Sequence, residues 1–138
     1  MKQMRAEVFF DSSVLLYILS RGHPKSLVTA GLLEEGGTIS VQVLNEFANV
    51  ASRKLGLEWE RIEAVLIEIR SLVEPPLALT VSTHESGVEI ARRYKYQMYD
   101  SLIIASALES GCKTLYSEDV QDSQQIGSLT IRNPFRAT

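Results

Sequence analysis

An apolar run, Val8-Phe9-Phe10, stops abruptly at a carboxylate, Asp11, and apolar residues resume at Val14 after two small hydroxyl residues. The pattern reads as a buried strand over Glu7 to Phe10, then a helix from Val14 to about Leu19 with Ser13 as its cap. A carboxylate is costly inside a core, so Asp11 belongs at the strand's carboxyl end, the edge where open α/β sheets bind ligands. The fold must therefore place a buried strand so that its last residue opens onto a ligand edge.

The rest of the chain alternates helical and extended signals. Arg21-Gly22-His23-Pro24 breaks the first helix, and Pro24 suits the first position of a second, which runs to Gly36-Gly37. Thr38 to Val41 has strand alternation. From Gln42 the period becomes helical, with Val43, Phe47 and Val50 on one face and Glu46 inside that apolar stripe. After Gly56, the residues Trp59, Ile62, Leu66, Ile69 and Val73 trace an amphipathic helix ended by Pro75-Pro76. Leu77 to Val81 reads as a third strand. Ser82-Thr83-His84-Glu85 has a capping-box pattern that starts a helix through Val88, Ala91 and Tyr94. A further helix begins near Tyr99-Asp100, with Asp100 heading the stripe Ile103, Ile104, Ala107, Leu108 and Gly111 as its stop. Thr114 to Ser117 is a fourth strand, ending in Glu118-Asp119, and Leu129 to Ile131 a short last one.

Strands alternating with helices predict an α/β fold, a mainly parallel central sheet of four to five strands flanked by helices in three layers. At 138 residues the chain reads as one domain, residues 1–138, with a core that needs no staples. Pairing the first and fourth strands mid-sheet would bring Asp11 and Asp119 together at a topological switch point.

Composition narrows the function. The net charge of −3 disfavours a simple electrostatic nucleic-acid clamp, unless several acids share a metal site whose cations cancel them. The single cysteine, Cys112, forms no internal disulfide, which fits a reducing, cytoplasmic setting. No stretch approaches the ~20 apolar residues of a membrane span, and two basic residues near the N-terminus precede no long apolar run. With two histidines, His23 in a turn and His84 in a helix's first turn, a zinc site has little support. Gly36-Gly37 lacks the Lys-Ser/Thr of a phosphate loop, and no Gly-x-Ser-x-Gly elbow occurs.

Four acids stand where something apolar or neutral is expected: Asp11, Glu46, Asp100 and Asp119. Singly, Asp11 reads as a helix cap, Asp100 as a helix-start acid and Asp119 as a turn residue. A buried Glu46 without a partner is harder to dismiss. Converging, the four would repel one another strongly, and a hard divalent cation removes the conflict. Magnesium or manganese takes oxygen ligands, keeps waters and suits phosphate chemistry. Arg92, Arg93 and Lys95 are either a solvated helix face or a guide for a phosphate backbone.

Taken together these residues resemble a known family. Asp11-Ser12-Ser13-Val14-Leu15-Leu16-Tyr17 is similar to the opening motif of PIN-domain ribonucleases, in particular VapC-type toxins of toxin–antitoxin pairs. The resemblance continues through Asn45-Glu46-Phe47, the run from Tyr99 to Leu108, the run from Gly111 to Asp119, and Ile131-Arg132-Asn133-Pro134-Phe135. It spans essentially the whole chain in order, and its specificity lies in the conjunction of motifs. It implies a metal-dependent endoribonuclease that hydrolyses RNA phosphodiester bonds with a metal-activated water and one or two Mg2+ or Mn2+ ions. By position, Asp11 is the central ligand, Asp100 and Asp119 complete the shell, and Glu46 binds metal or a coordinated water. Ser12 and Ser13 are implied partners of Asp11 or of such a water, with Ser13 departing from the Asn frequent in the family. Glu118 and Asp122 flank Asp119 as alternatives for, or supports of, the fourth acid. The resemblance also implies a homodimer and a cognate antitoxin protein. A non-catalytic PIN-like module binding RNA or protein is the alternative. A phosphoacceptor or phosphatase domain lacks its second acid near Asp11 and its later strand-end lysine.

Overall fold

The computed structural model describes residues 7–120 and 122–136. Strand β1 is Val8–Phe10, followed by a one-turn helix α1, Ser12–Leu15, and a 3-10 turn, Leu16–Leu19. Helices α2 (Pro24–Glu35), α3 (Val41–Arg53), α4 (Trp59–Leu72), α5 (Val81–Tyr94) and α6 (Met98–Glu109) come next. Strand β2 (Thr114–Tyr116) and a hairpin of β3 (Gln125–Ile126) and β4 (Leu129–Arg132) complete the chain.

The sheet runs β1-β2-β4-β3. Strands β1 and β2 are parallel with Phe10 opposite Tyr116, β2 and β4 are parallel, and only β3 is antiparallel. On the far side of β1 the sheet continues as single bridges, Phe9 to Thr38 and Ser40 to Leu77. These replace two of the expected strands. Ser40 and Thr80 each turn their hydroxyls onto the backbone three residues ahead and start α3 and α5, so Thr38–Val41 and Leu77–Val81 have no length left to extend as strands. Two caps differ from expectation for the same reason. Thr80 with Thr83, rather than Ser82 with Glu85, forms the capping box of α5, and Asp11 rather than Ser13 caps α1. The β3–β4 hairpin, turning at Gly127-Ser128, was not expected from the sequence.

After β1 the chain moves to the bridge side, and it returns through α5 and α6 to pair β2 on the other side. The connections therefore diverge between β1 and β2, at the carboxyl ends of both strands. Helices pack on the sheet in a three-layered α/β arrangement whose core joins Phe9, Phe10, Val43, Phe47, Ile103, Ile104, Leu115 and Ile131. Helix α6 buries every residue from Ser101 to Ala107, which gives Asp100, at its head, a fixed mount. Two glycines set close approaches. A Cβ on Gly37 would lie 2.5 Å from the Phe10 ring, and one on Gly87 would lie 2.8 Å from Leu102, where α5 meets α6. Overpacking at such points costs about 1–3 kcal/mol.

Trp59, expected in the apolar stripe of α4, is 61% exposed, while Ile62 and Ile69 carry the packing of that helix. No helix among the described residues is long and apolar enough to cross a membrane.

Candidate active site

Asp11 follows β1 directly, and its amide donates to the Tyr116 carbonyl at 2.9 Å, continuing the β1–β2 ladder by one bond. Its side chain is only 3% exposed. Four groups hold it. Oδ1 accepts the Ser12 amide at 2.8 Å, while Oδ2 accepts the Ser117 hydroxyl at 2.7 Å and the Ser13 hydroxyl at 2.9 Å. The fourth is its own backbone, fixed in the ladder. Burial pushes the Asp11 carboxyl above the usual carboxylate range, the Ser117 and Ser13 hydroxyls pull it down, and nearby Glu46 pushes it up again.

Two further carboxylates reach the same point from separate elements. Asp100 comes from the first turn of α6 and Asp119 from the loop after β2. One oxygen from each of Asp11, Asp100 and Asp119 lies within 4.8 Å of the others. Asp100 is pushed up to about 6, by burial first and then by Asp11, Asp119 and Glu46. Asp119 is also raised, by burial, Asp11 and Glu118, with Lys54 opposing. Burial raises all three carboxyls first, and neighbouring acids add to the rise: Glu46 at Asp11, and Asp11 at both Asp100 and Asp119. Hard oxygen donors at this separation suit a Mg2+- or Mn2+-sized cation, which would reverse all three shifts.

Glu46 stands beside this group on α3, half-buried next to Phe47. Its Oε1 accepts the Ser12 hydroxyl at 3.0 Å and its Oε2 the Gln42 amide at 2.9 Å. The two serines after Asp11 thus divide the work. Ser12 gives its amide to Asp11 and its hydroxyl to Glu46. Ser13 donates to Asp11 and accepts the Glu118 amide at 3.0 Å. Ser117 likewise accepts the Asp119 amide at 3.2 Å, so both strand-end loops are tied together through Asp11.

The other acids of the loop are engaged elsewhere. Glu118 accepts the Tyr17 hydroxyl at 2.8 Å and pairs with Lys25. Asp122 accepts the Asn133 amide at 2.7 Å in the C-terminal segment. Arg92 pairs with Glu89 at 2.8 Å on the exposed face of α5, Arg93 lies over the Tyr94 ring at 5.6 Å, and Lys95 is the left-handed cap of that helix. None of these three basic residues lines the cleft above the acids. That cleft, about 900 Å³, is bordered by Glu46, Asp100, Glu118 and Asp119, with polar residues of α3, Tyr99 and Lys54 around them.

Several participants had no prior signal strong enough to single them out. Ser117 looked like the end of a strand, although a small hydroxyl between a strand and two acids is a place for a carboxylate partner. Gln42 and Glu46 stand four apart on a helix, a spacing at which such pairs meet. Tyr17 and Lys25 lie 101 and 93 residues from Glu118 and meet it only through the fold.

Comparison with known proteins places this geometry in context. The family model described as PIN domain matches residues 8–124. The fold is similar to that of VapC20 from Mycobacterium tuberculosis, a sarcin–ricin loop cleaving toxin, at 20% identity over 81% of this chain and 89% of that one, with a TM-score of 0.66. It is similar to a toxin–antitoxin complex chain from Klebsiella pneumoniae at 21% identity over 93% and 98%, TM-score 0.66. A chain of VapBC2 from Rickettsia felis, solved with a DNA fragment from their promoter, matches at 17% identity over 91% and 96%, TM-score 0.66. No curated protein matches the sequence significantly.

Proposed function

The chain belongs to the PIN domain family, and from that premise we propose that it is a metal-dependent endoribonuclease, the toxin of a toxin–antitoxin pair. One observation carries the reading: carboxylates from three separate elements meet within 4.8 Å at the sheet's ligand edge. Asp11, Asp100 and Asp119 would hold the ion, with Glu46 beside them. A bound Mg2+ or Mn2+ would lower the pKa of a coordinated water and stabilise developing charge on a phosphate.

The chain's own residues supply the rest. Ser13 and Ser117 fix the Asp11 carboxylate in one orientation, which a ligand needs if it is not to be reordered at each turnover. Ser12 and Gln42 hold Glu46 by both oxygens, leaving its remaining lone pairs for a hydrogen bond from the attacking water. Lys54, on the cleft wall, offers the phosphate a positive charge. RNA as substrate, a homodimer and a cognate antitoxin belong to the same proposal. The family supports the nuclease reading, and the similar fold of two chains from toxin–antitoxin assemblies supports the antitoxin; the homodimer rests on the motif resemblance alone. An Arg or Lys from an antitoxin would pair naturally with these acids.

The test is incubation of the purified protein with mixed single-stranded and structured RNAs, with manganese, with magnesium and with chelator. Cleavage with metal, abolished by chelator and by Asp11→Asn, is the expected result. RNA binding without turnover across the whole screen would favour a non-catalytic module instead.

A further inference from the structure

The carboxylates account for only part of the cleft, and the remainder has a different chemistry. Helix α3 turns Gln42, Asn45 and Asn49 toward it at helical spacing, and Lys54 follows at the helix end. The Gln42 amide is spent on Glu46. The side chains of Asn45 and Asn49 have no hydrogen-bond partner among the described residues, and both residues are exposed. Opposite in sequence but on the same cleft, Tyr99 is 61% exposed and has no ring partner among the described residues, although its neighbour Asp100 is fixed in the acid group. Among the described residues that line the cleft, Lys54 is the one Lys or Arg, close enough to Asp119 to oppose the rise in its pKa.

Each residue alone would be ordinary. Exposed asparagines and a lysine at a helix end are usually solvated, and a single exposed tyrosine needs no explanation. Their convergence beside the acids is what requires one. A cleft of about 900 Å³ is far larger than a phosphate needs and falls in the size range of small-molecule sites. An acid-lined cleft also repels a polyanion, so any nucleic acid entering it needs compensating contacts close by.

We propose that Tyr99, Asn45, Asn49 and Lys54 form a recognition site for one unpaired RNA base and its phosphate, adjacent to the bond that is cut. This deepens the nuclease reading and rests on it. The tyrosine ring stacks on the base, a contact open only to a base that is not stacked in a duplex. The two amides each offer donor and acceptor to the base edge, and so discriminate between bases. Lys54 takes the phosphate and offsets the acids. Base preference within the RNA is then set by Asn45 and Asn49 of α3.

Binding is measured in the Asp11→Asn protein, whose altered residue lies beneath the cleft, with magnesium present. The probe is fluorescein-labelled single-stranded RNA of random sequence, followed by anisotropy at several salt concentrations. Tyr99→Ala is expected to weaken binding about tenfold or more, while Tyr99→Phe, which keeps the ring, binds like the parent. Lys54→Met lowers affinity and reduces the salt slope by about 1, and Lys54→Arg restores both. Asn45→Ala and Asn49→Ala alter the ranking of homopolymeric RNAs more than the mean affinity. The inference is overturned if the parent binds no RNA at low salt, if Tyr99→Ala and Lys54→Met bind as the parent does, or if a duplex of the same RNA binds equally well. Cleavage by the wild-type protein is scored separately. Cleavage with unaffected binding in these variants removes the recognition site and leaves the nuclease. The expected binding pattern without any cleavage leaves the site and removes the nuclease.

Discussion

Glu118 and Asp119 are adjacent acids on one loop and both border the cleft, yet their partners differ. Glu118 meets the Tyr17 hydroxyl and the Lys25 ammonium. The Tyr17 ring packs edge-on against Phe135 at 5.1 Å and tilted against His23 at 5.2 Å, and Lys25 lies over the Tyr17 and Phe135 rings at 5.0 and 5.1 Å. Burial raises the Glu118 carboxyl, but the hydrogen bonds from Lys25 and Tyr17 outweigh it and hold the group below its ordinary range. Asp119 joins Asp11 and Asp100 and is raised, by burial first and then by the charges of Asp11 and Glu118. An acid supplied with a cation by the fold is structurally complete. Acids that face chiefly other acids are completed by something that arrives from outside.

The contrast makes its strongest prediction for the two conservative amide variants. Asp119→Asn should reduce metal-dependent RNA cleavage by about 100-fold or more, because loss even of groups that merely support a ligand costs about 10–100-fold. Glu118→Gln keeps one oxygen to accept from Lys25 while its NH2 can donate to the Tyr17 hydroxyl oxygen, and its cleavage rate should stay within a few-fold of wild type. Equal losses in single-turnover assays would erase the distinction between the two acids. Ser117→Ala comes next. It removes a buried, charge-assisted bond to Asp11 and the Asp119 amide's acceptor together, and should cost about 10–100-fold in metal affinity. Lys25→Met frees Glu118 to swing toward the acid group. A loss of several-fold in cleavage is expected, and adding Glu118→Gln should recover part of it. A double variant worse than Lys25→Met alone would count against Lys25 as the group that keeps Glu118 away from the acids.

The smallest effect is on stability. Asp100 has a folded pKa of about 6 against an ordinary 3.8. Its contribution is therefore fully present below about 3.8 and is lost as pH rises through about 6. In the metal-free protein, the Tm advantage of Asp100→Asn over wild type should grow across that window and shrink when manganese is added. A pH-independent difference between the two melting curves would contradict the electrostatic account.

How much of this was legible beforehand depended on the range of the interaction. The strand ending at Asp11 and the helix headed by Asp100 follow from local periodicity, whereas the β1–β2 pairing was only one arrangement compatible with the alternation of elements and is supplied by the fold. The expected strands at Thr38 and Leu77 shrank to bridges because Ser40 and Thr80 cap helices that start early, a competition between two local signals. The orientation of Glu118 was not readable, since its partners Tyr17 and Lys25 lie 101 and 93 residues away. A chain pattern can show that acids gather near one edge. Which of two neighbours joins the acid group is decided by long-range packing.

Manganese titration by calorimetry, run in parallel on the wild-type, Asp119→Asn and Glu118→Gln proteins, tests the central claim most directly. The account predicts saturable binding to the wild type, affinity within a few-fold for Glu118→Gln, and a loss of about tenfold or more for Asp119→Asn. No saturable binding to the wild type, or a larger loss in Glu118→Gln than in Asp119→Asn, would contradict it.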